Sequence, residues 1–214
     1  MEILVKLRAY IITGLLLILN FVFTTVLVKT GKFSEFDKWL SSIIHNNRSS
    51  FLTNIMKCLD FIGSSYFVIG ISLVILFYLY FIIKRRFASI LFIITMLGER
   101  LLGEGLKYLL IRSRPDGPHL VEIDGHSFPS QHAMNAFVLY GILLFLLWTH
   151  LNHYKIKVLL SLLIITIILA MGVSRIYLGV HYPSDIFGGY LISGFWLTAV
   201  ILYARYHKEK NKKA

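Results

Sequence analysis

Two histidines, each close to a helix-start proline and in basic company, carry the chemistry that this sequence suggests. The stretch Ser174-Arg175-Ile176-Tyr177-Leu178-Gly179-Val180-His181-Tyr182-Pro183-Ser184-Asp185 lies between two long apolar runs. Pro183 suits the first position of a helix, where its missing N–H is not needed, and Tyr182 before it is biased towards an extended conformation. In that register Asp185 falls in the first helical turn and can reach back to His181. A carboxylate that grips one imidazole nitrogen leaves the other free to act as base or nucleophile. Arg175 supplies a fork suited to phosphate oxygens. Upstream, Pro129-Ser130-Gln131-His132 sets a second histidine at another proline-marked helix start. Pro129 is expected near the first helical position, where free backbone N–H groups form an anion site. Lys107 and Arg114 add two more cations. Such a set favours a phosphate-like dianion and the transfer of a phosphoryl group to His181.

These residues must be positioned by a membrane protein. Of the 214 residues 57% are hydrophobic and only 15% are charged, and the apolar residues come in long blocks. That pattern excludes an ordinary globular enzyme. It predicts an all-α integral membrane protein, with residues 1–214 forming a single domain. Six transmembrane helices are expected, at about 7–28, 64–83, 87–111, 129–148, 157–174 and 184–204. The first is read as an uncleaved span, since its apolar core is too long for a signal peptide and no small-x-small site follows. The net charge of +11 belongs to membrane topology and not to a nucleic-acid partner. Lys6, Arg8, Lys84, Arg85, Arg86, Lys155, Lys157 and the tail from Arg205 fall on one side. By the positive-inside rule both termini are then cytoplasmic. Cys58 is the only cysteine, which excludes an internal disulfide and a cysteine-rich metal site.

Helix counting then brings the motifs together. The end of helix three, the start of helix four and the connection from five to six all fall on the outer face. Lys107 and Arg114, Ser130 and His132, and Arg175, His181 and Asp185 can therefore converge there. Between helices one and two, Ser34 and Asp37 resemble a capping box. Phe33, Phe36, Leu40, Ile43 and Ile44 follow at helical spacing. This is expected to be a short interfacial helical segment on the outer surface, with a second piece, 51–59, leading into helix two.

Helix three departs from a plain span because Glu99, Arg100, Glu104 and Lys107 lie in its second half. Charges at membrane depth must pair or line a polar cavity. A direct role is expected for Lys107 and a supporting one for Glu99, Arg100 and Glu104, with Glu99 reaching another helix. The loop through His119, Glu122, Asp124 and His126 is polar, but its spacings match no metal-ligand motif, so no metal and no cofactor are expected. Gly189 and Ser193 have the small-xxx-small spacing that allows close helix packing, within one chain or between chains.

Lys107 with Arg114-Pro115, then Pro129-Ser130-Gln131-His132, then Ser174-Arg175 with His181 and Asp185, resemble the tripartite signature of the type 2 phosphatidic acid phosphatase superfamily. The motifs span residues 107 to 185, and the six-helix pattern extends the likeness over most of the chain. The resemblance implies that His181 forms a phosphohistidine, that Asp185 orients it, and that His132 protonates the leaving group. It implies phosphate binding by Lys107, Arg114, Arg175, Ser130 and Gln131, with Ser174, Gly179, Glu104 and Arg100 in support. One position departs, since the family usually has glycine where Gln131 stands. Compact six-helix members of the superfamily resemble the bacterial phosphatidylglycerophosphate phosphatase B type. The implied substrate is a lipid phosphate, phosphatidylglycerophosphate first, with undecaprenyl pyrophosphate as the alternative. A transporter or a silent scaffold would also place charges within spans, but neither needs two histidines beside an arginine cluster.

Overall fold

The computed structural model describes residues 2–148 and 151–213, apart from the side chains of 2–6 and 211–213. Regular structure among them is entirely helical. The elements are α1 (Glu2–Lys29), α2 (Ser34–Asn46), α3 (Ser50–Gly63), α4 (Ser65–Phe77), α5 (Arg86–Leu110), α6 (Gln131–Trp148), α7 (Tyr154–Tyr177) and α8 (Pro183–Lys213). A single π-helical turn, Tyr78–Ile82, continues α4.

Local chemistry explains most of the boundaries. Ser49 and Ser64 act as N-caps, their hydroxyls accepting from the N–H groups of Leu52 and Phe67 at 3.3 Å, and Ser64 both ends α3 and starts α4. Pro183 takes the first position of α8, where a proline loses no helical hydrogen bond. Two expectations need correction. The capping box at Ser34 and Asp37 does not form: α2 begins at Ser34, Phe33 offers no side-chain cap, and Asp37 is buried. Its carboxylate is committed to distant partners, described below. Pro129 is not helical either, because α6 begins at Gln131. Phe128 is fully buried, stacked on Phe21, and joins Pro129 through a cis peptide. The chain turns into the helix only after that ring is inserted, and the Ser130 carbonyl accepts the first helical hydrogen bond, from Met134 N–H at 3.0 Å.

Five helices among the described residues are long and apolar enough to cross a membrane: α1 from Leu7, α4 with its π turn, α6, α7 and α8 up to Lys210. Their outer faces carry exposed residues such as Ile12, Leu19, Phe23, Leu73 and Leu159, as lipid contact requires. With 25 residues, α5 is about 37 Å long, also enough to span, but it carries the ionisable residues noted above. α8 packs along α1 and α6. The central core joins Val68 of α4, Leu91 and Phe92 of α5, Leu139 and Ile142 of α6, and Leu197 and Val200 of α8. Gly189 lets α8 approach the start of α6, since a Cβ there would lie 3.2 Å from the Ser130 carbonyl oxygen. The small-residue spacing thus serves packing within the chain.

Ile142 is fully buried at the meeting of these helices. Ile142→Ala is expected to lower stability by about 2–5 kcal/mol, measured by thermal unfolding in detergent, while leaving kcat close to wild type.

Candidate active site

The site is assembled from two helical hairpins and a clamp. The first hairpin is α7, a tight turn, and α8. Arg175 lies in the last turn of α7. Gly179 follows at φ +81°, a conformation that favours glycine, and a Cβ there would also stand 3.0 Å from the Pro118 carbonyl oxygen and 3.1 Å from Arg48 Nη2. The turn delivers His181, which is 2% exposed, and then Asp185, which is 0% exposed. Asp185 Oδ2 accepts the Tyr182 N–H at 2.8 Å and the Ser127 hydroxyl. The same oxygen lies 3.3 Å from His181 Nδ1. The other ring nitrogen, Nε2, faces Arg114 Nη1 at 3.3 Å. Burial drives the His181 imidazole down to about 3, with Asp185 opposing the shift and Arg175 and Arg114 adding to it. It is therefore neutral at neutral pH, with one nitrogen held and one directed outward.

The second hairpin is α5, the loop 111–130, and α6. Lys107 occupies the last turn of α5 and is close enough to Arg114 and Asp185 to interact with both electrostatically. The loop is pinned to the first hairpin: Leu120 N–H donates to the Leu178 carbonyl at 3.0 Å, and Ser130 N–H to the Asp185 carbonyl at 3.2 Å. Leu120, Val121 and Ile123 pack on Leu178 and Val180. Its carbonyls hold Arg114, which donates to Gly125 at 3.0 Å and Asp124 at 2.8 Å, and across to Val180 in the turn of the first hairpin at 2.8 Å. The acidic and histidine-bearing loop is thus a cradle for one guanidinium, made by its backbone.

The clamp is α2 with α3, and its residues were invisible to sequence reasoning. Arg48 donates from Nε and Nη2 to the Tyr177 carbonyl at 2.9 and 2.6 Å, and His45 Nε2 bonds the Ile176 carbonyl at 2.7 Å. Both satisfy open carbonyls at the end of α7. From α3, Asp60 Oδ1 pairs with Arg175 Nη1 and lies 3.3 Å from His132 Nε2. Asn135 of α6 donates to the Gly63 carbonyl at 3.2 Å, fixing α3 against α6. The one signal for Asp60 in the sequence is a single acid among Leu59, Phe61 and Ile62.

Lys107, Arg114, Ser130, His132, Arg175, His181 and Asp185 therefore share one region. Apart from the Asp60 ion pair, the Arg175 guanidinium has no acceptor, and the Ser130 hydroxyl has none, although both are buried. Buried donors are normally satisfied, so these suit an anion. Four residues stand apart from that region. Arg100 and Glu104 pair with each other at 3.0 Å, and Arg100 donates to Ser65 at 2.7 Å, at a partly exposed surface. The Ser174 hydroxyl returns to the Met171 carbonyl in its own helix at 2.7 Å. The Gln131 side chain turns away from the histidines, donating to Glu99 at 2.6 Å and Asn135 at 3.1 Å. It fits because α5 has Gly103 opposite, where a Cβ would stand only 2.4 Å from Gln131 Oε1.

The PAP2 superfamily model matches residues 88–209, which include both hairpins and exclude the clamp. The chain belongs to the PAP2 superfamily. Phosphatidylglycerophosphatase B of Bacillus subtilis (strain 168) is 30% identical over 175 residues, covering 81% of this chain and 86% of that protein. An undecaprenyl-diphosphatase of Sulfolobus acidocaldarius is 28% identical over 170 residues, 76% of this chain and 75% of that one. Among solved structures, a transmembrane PAP2 type phosphatidylglycerolphosphate phosphatase from Bacillus subtilis superposes with TM-score 0.83 at 28% identity, covering 90% of this chain and 96% of that one. Aquifex aeolicus LpxE does so with TM-score 0.59 at 27% identity, covering 76% and 92%. The relatives named here are lipid phosphate phosphatases, and the buried donors beside His181 suit a phosphate group.

The fit of Gln131 against Gly103 makes a direct prediction. Gly103→Ala should displace the glutamine from Glu99 and cost about 1–3 kcal/mol of stability. Adding Gln131→Gly should remove much of the packing conflict, so that the double variant loses less than the sum of the single ones in thermal unfolding.

Proposed function

We propose that this protein is a membrane phosphatase that removes the phosphate monoester of phosphatidylglycerophosphate, and of related lipid phosphates, through a phosphohistidine on the outer face of the membrane. The observation that carries this reading is two buried groups with donors to spare among the described residues, the Ser130 hydroxyl without an acceptor and the Arg175 guanidinium with only the Asp60 ion pair, beside a neutral His181 held by Asp185. In this reading Lys107, Arg114, Arg175, Ser130 and the first backbone N–H groups of α6, Gln131 included, hold the phosphate oxygens. They would stabilise the charge that spreads over those oxygens in the transition state.

His181 Nε2 attacks phosphorus, and the bond to the lipid oxygen breaks as His132 gives that oxygen its proton. Asp185 keeps the Nδ1 proton and offsets the positive charge that develops on the ring. His132, now neutral, takes a proton from water as the oxygen of that water attacks phosphorus. The P–N bond breaks, inorganic phosphate leaves, and both histidines return to their starting states. The bound dianion itself favours the protonated form of His132. Ser174 and Gly179 support the site by shaping the end of α7 and the turn, and Arg100 with Glu104 by tying α5 to α4.

The reading takes α5 as a sixth span. Its charges suit that role because Arg100 pairs with Glu104 and Glu99 with Gln131, which lowers the penalty of charge at membrane depth. With six spans both termini are cytoplasmic, the site faces the extracellular or periplasmic side, and α2 lies along the outer surface. Exposed Phe36, Trp39 and Ile43 give α2 the apolar face that such a position needs. A second reading, hydrolysis of undecaprenyl pyrophosphate, has its support in the Sulfolobus relative of that name.

The test is phosphate release by purified protein from a panel of lipid monoesters and pyrophosphates, with chelator present and absent. His181→Ala is expected to abolish turnover and His132→Ala to lower it by about 100-fold or more. His181→Ala with wild-type release would end this reading, and pyrophosphate turnover far above monoester turnover would select the second one. The pH dependence follows from the sign of the shift at His181. Its folded value lies below the ordinary 6.5, so the ring stays neutral as pH falls through the usual histidine range. An NMR titration of the free enzyme should therefore show no protonation of His181 down to about pH 5. A midpoint near the ordinary histidine value would contradict the buried, neutral nucleophile.

A further inference from the structure

Asp37 lies on α2 next to Phe36, which lines an apolar groove with Phe33 and Leu40, yet it is only 1% exposed. A carboxylate in such a place must be paired. Oδ1 accepts the Ser184 N–H at 2.9 Å, and Oδ2 accepts the Ser184 hydroxyl at 2.6 Å and Arg112 Nη2 at 2.8 Å. Through Nη1, Arg112 donates to Asp185 Oδ1 at 2.5 Å and to the Ser184 hydroxyl at 2.8 Å. Its guanidinium lies over the Tyr182 ring, 4.2 Å from the centroid. The two oxygens of Asp185 are thus divided: Oδ1 belongs to Arg112, and Oδ2 is left to His181, Ser127 and the Tyr182 N–H.

We infer that Arg112, anchored by Asp37, is a positioning residue for the reaction of His181, acting by fixing the orientation and the ionised state of Asp185. The inference rests on the reading of His181 as the attacking group. Two carboxylates converge on one guanidinium in a buried setting. Without Arg112 their mutual repulsion and burial would favour a proton on one of them, and a protonated Asp185 accepts the Nδ1 proton of His181 poorly. Arg112 keeps one edge towards solvent, since its side chain is 17% exposed. The Asp37 carboxylate and the Tyr182 ring hold it in place. The other charged and polar groups that face His181 are Arg114 from the loop, Arg175 from α7 and Ser127, and none of these touches Asp185 Oδ1. That oxygen depends on Arg112.

The experiment compares wild type, His181→Ala, Arg112→Ala, Arg112→Lys, Asp37→Asn and the Arg112→Ala/Asp37→Asn double variant. Phosphate release from a short-chain lipid phosphate in detergent is measured together with thermal unfolding. Arg112→Ala should lower kcat by about 10- to 100-fold, the scale seen when the partner of an orienting group is lost, with KM changed less than about threefold. Guanidinium ion added to Arg112→Ala should restore part of kcat. Asp37→Asn should show a smaller loss of the same kind, and the double variant should be no slower than Arg112→Ala alone, since both act through one group. Should Arg112→Ala fail to fold, Arg112→Lys and Asp37→Asn carry the same kcat-against-KM test. Wild-type kcat in the folded variants, or a loss that guanidinium leaves unchanged and that follows the unfolding temperature, overturns the inference. Inactive wild type, or His181→Ala as active as wild type, would instead remove the reading on which it rests.

Discussion

The arrangement depends on one buried carboxylate. Asp185 has no access to solvent, so every lone pair it presents must find a donor, and its carboxylate has four such partners drawn from the α7–α8 turn and the α5–α6 loop. Tyr182 N–H comes from its own turn, Ser127 from the loop before α6, Arg112 from the loop after α5, and His181 from the turn. Its backbone carbonyl takes a fifth donor, Ser130 N–H. Satisfying this one residue therefore draws the two hairpins together. It also orients the imidazole, because the oxygen left to His181 is determined by what the others occupy. A charged group that is costly to bury unpaired here acts as the joint between the elements that carry the chemistry.

The clamp solves a different problem. Helix α7 ends at the site, and its last carbonyls have no partner within the helix. Arg48 and His45 satisfy them from the α2–α3 segment, Tyr177 bonds Ser49, and Asp60 meets Arg175 and His132. The part of the chain that matches the superfamily model, residues 88–209, supplies the residues proposed to face phosphate. The preceding part supplies their counterions and caps.

Much of this was legible in the sequence, and the failures share one cause. Apolar blocks predicted the five candidate spans, with most ends within a few residues although α8 runs on beyond the expected 204, and Pro183 marked the start of α8 because proline suits the first helical position. The spacing of Lys107, Arg114, Ser130, His132, Arg175, His181 and Asp185 marked the residues that converge. Asp37 went unread because a local explanation, a capping box with Ser34, was at hand. Its true partners Arg112 and Ser184 lie far along the chain, and a charged side chain carries no mark of its partner. Asp60 and Arg112 were missed in the same way. Gln131 looked anomalous as long as the facing residue was unknown. Once α5 and α6 are packed, Gly103 supplies the room that the Gln131 side chain needs.

The division into two hairpins has a consequence for specificity. His181 and its carboxylate ride on the α7–α8 unit, while His132 rides on α6 and meets Asp60 from α3. Each histidine has its own acidic neighbour, Asp185 for His181 and Asp60 for His132. In the proposed mechanism the packing of the two units sets the distance between attacking nitrogen and proton donor. A monoester and a pyrophosphate differ in how far the leaving oxygen and its charge extend from the reacting phosphorus. On the proposed mechanism, residues at the hairpin seam bear on which leaving group fits, separately from the reacting groups themselves.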